Sequence, residues 1–169
     1  KKYYGRVYQL DRVGGNFMMV QRSDELHMPD AASLPGMIKE HERLFGEATL
    51  ESVATDKGYY SLDNFNLLKA KKVKEIGLQR PNRKLYAPRD DCDPEIRQKL
   101  YCRRAGIEAL IGHTKQGGQL GRSRMKSDST TLSSGYASVL GFNLRQLTRY
   151  ARGEIELNSA NDDPRSENN

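Results

Sequence analysis

The sequence predicts an α/β protein, and three observations carry that prediction. Strand-forming runs at Tyr3–Leu10 and Phe17–Gln21 flank a Gly14-Gly15-Asn16 turn, which is the pattern of a hairpin. The run Leu50–Thr55, a helical stretch Leu62–Lys72 and the run Val73–Leu78 then alternate strand, helix and strand, an order that layers helices on a sheet. Finally, Asp93–Lys115 repeats apolar residues at helical spacing, with no proline after Pro94 until the tail.

Each element has its local reasons. Pro29-Asp30-Ala31-Ala32-Ser33 opens a helical stretch through Met37, Ile38, His41, Leu44 and Phe45 that closes at Gly46. Pro35-Gly36 is expected to interrupt it. Asp56 stands at the C-terminal end of the strand Leu50–Thr55, where α/β folds usually place functional groups. Asp93 is suited to cap the long helix and Pro94 to be its first residue. Within that helix Ile96, Leu100, Ile107 and Ile111, with Leu110 at the margin, form a stripe for a core. Tyr101, Arg104, Glu108 and Lys115 fall beside it in an arc of roughly 60°. A polar set therefore sits at the rim where core meets cleft. Leu132, Tyr136, Val139, Leu140, Asn143, Leu144 and Leu147 recur at helical spacing, so residues 130–151 are expected to pack on the sheet. Residues 1–152 are thus one folded region, and from Gly153 the polar tail is expected to be disordered.

A chain of 169 residues, 36% hydrophobic and 30% charged, suffices for one domain with a core. No apolar run approaches the ~18 residues of a membrane span and no signal peptide opens the chain, so a cytoplasmic protein without a membrane partner is expected. Cys92 and Cys102 match no zinc or redox spacing. The net charge is +6 and unevenly spread: residues 1–64 carry −2, whereas residues 65–126 carry +10. A basic block around a carboxylate is costly unless a polyanion balances it, which makes nucleic acid the natural partner. Arg80, Arg83, Lys84 and Arg89 lie in a loop placed across the mouth of the cleft and suit phosphates. Arg122, Arg124 and Lys126 follow the long helix in a flexible basic stretch.

Taken alone, Arg104 and Glu108 are an i,i+4 pair on a solvated helix face. The full spacing, Tyr101-x2-Arg104-x3-Glu108-x6-Lys115, resembles the Y-x2-R-x3-E-x6-K signature of insertion-sequence DDE transposases. Thr55-Asp56-Lys57-Gly58-Tyr59-Tyr60-Ser61 resembles the block around their second catalytic aspartate, and it lies in the required order, with Asp56 52 residues before Glu108. By itself that block has a plainer account, in which Gly58 serves a positive-φ turn and Asp56 caps the next helix. Gly141-Phe142-Asn143-Leu144-Arg145 also resembles the family, although core packing explains it better.

The resemblance implies an RNase H-like mixed sheet flanked by helices. It implies DNA strand cleavage and strand transfer at insertion-sequence ends, in a bacterial or archaeal, nucleoid-associated protein. Two Mg²⁺ (or Mn²⁺) ions would activate the attacking oxygen and stabilise the leaving one. Asp56 and Glu108 would be the metal ligands and catalytic acids, since hard cations prefer carboxylates. Arg104 and Lys115 would hold phosphates of the transposon end, and Tyr101 would stack on a base or donate to a phosphate. Double-stranded DNA, both terminal inverted repeats and target, is the implied partner, with self-association in the working complex. The family's first aspartate precedes the hairpin and has no match in residues 1–169; Asp11, Asp24 and Asp30 are poorly placed to replace it. The chain is therefore expected to be a C-terminal part of a transposase core, inactive as it stands. The alternative is a non-catalytic basic DNA-binding module or insertion-sequence remnant.

Overall fold

The computed structural model describes residues 6–22, 28–79, 93–122 and 124–155. It is a mixed α/β structure whose described residues fall into two compact units. One comprises residues 6–22 with 106–155, the other residues 28–79 with 93–105. Among the described residues no helix is long and apolar enough to cross a membrane. The expected loop with Arg80, Arg83, Lys84 and Arg89, the start of the first strand, Asp24, Cys92 and the polar tail from 156 lie outside the described residues.

In the first unit, β1 (Tyr8–Val13) and β2 (Phe17–Arg22) form the expected antiparallel hairpin. Gly15 and Asn16 turn it with φ of 67° and 60°, values that glycine and asparagine accept most readily. Against β2 packs α4 (Asp128–Ala151), whose N-cap Ser127 accepts from the Thr130 amide. Met18, Val139 and Phe142 form the core, with Leu10, Val20, Leu110 and Ile111 around them. Asn143 grips the strand itself: its Oδ1 accepts from the Met18 amide at 3.0 Å and its Nδ2 donates to the Met18 carbonyl at 2.8 Å.

The buried face of α4 differs from the expected stripe. Gly135, Ser138, Val139, Phe142 and Gln146 are buried, whereas Tyr136, Leu140, Leu144 and Leu147 are 41–59% exposed. Small residues share this face with the core residues Val139 and Phe142. A Cβ on Gly135 would overlap the Tyr8 ring, whose hydroxyl donates to the Thr131 carbonyl at 2.8 Å. Close approach of the helix to the hairpin thus depends on absence of bulk, which a search for apolar periodicity does not register.

On the opposite hairpin face, where Asp11 pairs with Met19 and Gln9 with Gln21, Gln9 and Met19 are buried. Burial pushes the Asp11 carboxyl up to about 7. The folded chain therefore keeps this proton where an unfolded aspartate, titrating near ~4, has lost it. Stability is expected to fall as pH rises from about 4 through 7, by on the order of 2–4 kcal/mol. Urea midpoints at pH 5 and pH 8 should differ accordingly in the wild type and much less in Asp11→Asn. An equal difference in both would show that another group titrates.

The second unit is organised by a strand–helix–strand crossover. Here β3 (Ser52–Thr55) and β4 (Glu75–Leu78) pair in parallel, joined by α2 (Leu62–Ala70). Both strands and the helix are shorter than expected, since Lys71 and Lys72 form a turn rather than a last helical turn. Lys72 takes a φ of 59° there. The core joins Leu34 and Ile38 of α1 (Asp30–Phe45) to Phe65, Leu68, Val73, Ile76 and Leu78. Gly46, at φ 94°, ends α1 as expected.

The interruption expected near Pro35-Gly36 is absent: α1 runs unbroken through Pro35. Proline at 35 has no N–H for the Ala31 carbonyl four residues back. That carbonyl instead accepts from Asn64 Nδ2 at 2.8 Å, and the same amide donates to the Tyr59 carbonyl at 2.8 Å. Asn64 is 3% exposed, so the repair is internal. The orphan acceptor that ends most proline-containing helices is satisfied here by a side chain from α2.

Candidate functional site

Asp56 follows the last residue of β3 and leads into a short 3-10 turn over Lys57–Tyr59. Its carbonyl accepts from the Tyr59 amide at 3.1 Å, which shapes the turn. The two plainer accounts of this block do not describe it. Gly58 is not among the positive-φ glycines; a Cβ there would come within 2.5 Å of Asp30 Oδ2, so the Asp30 carboxylate would have to turn aside. Nor does Asp56 cap a helix with its side chain. Ser61 caps α2 instead, accepting from the Asn64 amide at 3.0 Å.

The Asp56 carboxylate is therefore not consumed by local structure, and its side chain is 64% exposed. Its partner is Arg104, which donates through Nη1 to Asp56 Oδ1. Arg104 belongs to α3 (Pro94–Gly117), a continuous helix. Asp93 begins it as expected, accepting from the Glu95 amide through Oδ1 at 2.8 Å. Leu100, buried at 3%, anchors this half of the helix over β4. A Cβ on Gly77 would lie 3.3 Å from Leu100 Cδ1 and 3.3 Å from the Val53 carbonyl, so the helix sits directly on the strand pair that carries Asp56.

Because α3 is unbroken, Tyr101, Arg104, Glu108 and Lys115 lie on one arc of a single helix, roughly 60° wide. Tyr101 and Arg104 are half-buried in the second unit, whereas Glu108 and Lys115 are exposed in the first. Of the expected core stripe Leu100 is buried and Leu110 and Ile111 pack against the first unit's core, while Ile96 and Ile107 are half-buried; apolar periodicity passed over a further residue. Thr114 is fully buried, its Oγ1 donating to the Leu110 carbonyl at 2.8 Å. Arg122, Arg124 and Lys126 are exposed.

Among the described residues no group of three His, Cys, Asp or Glu side chains is placed to hold a metal ion. Asp56 and Glu108 are each exposed carboxylates, and Mg²⁺ retains waters while taking only one or two protein carboxylates. Asp56 belongs to the second unit and Glu108 to the first, and each by itself is a carboxylate of the kind Mg²⁺ accepts. The Asp56–Arg104 pair does not oppose this, since an ion pair this exposed contributes about 0–1 kcal/mol. No family model, curated protein or solved structure matches the chain.

Proposed function

We propose that the chain is part of an RNase H-like DDE transposase core that cuts and joins DNA at insertion-sequence ends. The observation that carries the proposal is the Arg104–Asp56 pair. Two blocks were matched to the family separately, 48 residues apart at these positions, and the fold joins a member of one to the acid of the other. Mere coincidence of spacing would not require them to meet. The basic charge around α3, net +10 over residues 65–126, supports a polyanionic partner.

Asp56 and Glu108 are then the carboxylates contributed to divalent cations, with a further acid supplied from outside residues 1–169. Bound Mg²⁺ or Mn²⁺ would polarise the scissile phosphate and activate the attacking oxygen. The protein's own part is to fix the two carboxylates on rigid elements, a strand end and a long helix, and to neutralise phosphates with cations. In the absence of metal, Arg104 balances Asp56; on binding DNA, the guanidinium transfers to a phosphate, which it holds by two parallel hydrogen bonds. Lys115 provides a point charge on the same helix arc.

The net charge of +10 over residues 65–126 also supports a second reading, a non-catalytic DNA-binding module. The two are separated by metal-dependent nicking of duplex DNA bearing insertion-sequence ends. Asp56→Asn and Glu108→Gln are expected to abolish it while leaving DNA binding in place. Binding without nicking in any form of the protein would favour the module.

A further inference from the structure

The first unit contains a cavity of about 380 Å³ at the junction of α3 and α4, within the ~300–1,000 Å³ of ligand sites. Its floor is a run of small residues on α4, Ser134, Ala137, Ser138 and Gly141, one helical turn apart. Arg122, Arg124 and Arg145 stand around it, and no acidic residue lines it. All three guanidinium groups are without an ion pair or hydrogen-bond acceptor among the described residues. Three exposed guanidinium groups around one cavity that no carboxylate lines give it a positive potential, which attracts an anion.

The cavity is also built, not incidental. The loop leaving α3 is tied to α4 by Ser138, whose Oγ donates to the Gly118 carbonyl. Gly118 cannot carry a side chain, because a Cβ would lie 2.7 Å from the Thr114 carbonyl and 3.2 Å from the Ser138 carbonyl. The Arg145 guanidinium rests 3.3 Å from where a Gly117 Cβ would be. Of the C-terminal carbonyls of α3, which would repel an anion, that of Thr114 is engaged, accepting from the Gly118 amide at 2.9 Å. Gly141 has nothing within 4 Å of a Cβ position and so opens directly into the space.

We propose that this Arg122–Arg124–Arg145 pocket holds backbone phosphate of a DNA strand, an inference that adds a grip on DNA to the function proposed above. Sequence spacing marks Arg122 and Arg124 as cations but does not bring Arg145 to them or create a cavity.

The test is binding of the full chain to a fluorescently labelled DNA duplex, followed by anisotropy at several salt concentrations. Arg145→Ala is expected to weaken binding about tenfold and to reduce the salt slope by roughly one. Gly141→Leu removes no charge and fills the cavity; it is expected to weaken binding by a similar factor, about tenfold. Lys39→Ala, an equal loss of charge on α1, is the comparison and should change affinity less than about twofold. Thermal melting of each variant separates lost binding from lost folding. Inorganic phosphate and a mononucleotide, added as competitors, distinguish a strand site from one for free phosphates. Competition at millimolar concentration or below by either would overturn the assignment to a DNA strand. If Arg145→Ala matches Lys39→Ala and Gly141→Leu binds as wild type, the pocket is not a DNA site. That outcome leaves the transposase proposal standing, whereas pocket-dependent binding by this chain together with no metal-dependent nicking by the protein carrying its native upstream sequence would sink the transposase proposal and leave the pocket.

Discussion

Asn64→Leu is expected to destabilise the chain by about 3–5 kcal/mol, the largest effect among single substitutions outside the apolar core. The side chain is 3% exposed and supplies the hydrogen bonds to the Ala31 and Tyr59 carbonyls. Leucine keeps the volume but removes the donor from two half-buried carbonyls, a loss of about 1–3 kcal/mol for each. Asn64→Asp should be comparably harmful at neutral pH, because a carboxylate would face two carbonyl oxygens. The cause is open to a direct check. In Pro35→Ala the restored amide at 35 can donate to Ala31, so Asn64→Leu should cost about 1–2 kcal/mol less in that background. If the two changes are additive in denaturant melts, the account of how α1 tolerates Pro35 is wrong.

Gly135→Ala is expected to cost about 1–3 kcal/mol although alanine is the better helix former. The added methyl would overlap the Tyr8 ring, which must turn away and surrender its hydrogen bond to the Thr131 carbonyl. Gly141→Ala is the contrast: it lies in the same helix with nothing within 4 Å of its Cβ position, and should stabilise by about 0.5–1 kcal/mol. A thermal melt of the two variants reads both signs. Equal stabilisation by both would mean that α4 does not approach the hairpin as closely as the structure has it.

The parts of this structure that were legible in the sequence are those written in local chemistry. The Gly14-Gly15-Asn16 turn, the Asp93–Pro94 helix start and the Gly46 helix end each rest on a residue whose own backbone preference fixes the geometry. Asp56 at the end of β3 was likewise readable, from a strand followed by a turn and a cap. What was not legible depends on residues far apart in the chain. Pro35 predicted a broken helix because the donor that rescues it, Asn64, is 29 residues away. Likewise, α4 buried its small residues and left Leu140, Leu144 and Leu147 more than half exposed. There the apolar pattern marked Val139, which is buried, but passed over Gly135, whose missing side chain makes room for Tyr8. Arg104 was read as a phosphate ligand and its partner is Asp56, a pairing between blocks that spacing within either could not reveal. The cations at Arg122 and Arg124 were visible as a basic stretch, but their convergence with Arg145 exists only once the loop folds back on α4.

Asp56 and Glu108 are proposed to serve metal-dependent phosphodiester chemistry. The most direct test is cleavage of terminal-inverted-repeat DNA in Mg²⁺ or Mn²⁺ by this chain, by the chain carrying its native upstream sequence, and by that longer protein with Glu108→Gln. The account predicts cutting by the longer wild type alone, with Glu108→Gln still binding DNA but at least ~10²-fold slower in cleavage. A longer protein that binds the same DNA and never cuts it, or one that cuts equally well with Glu108→Gln, would contradict it.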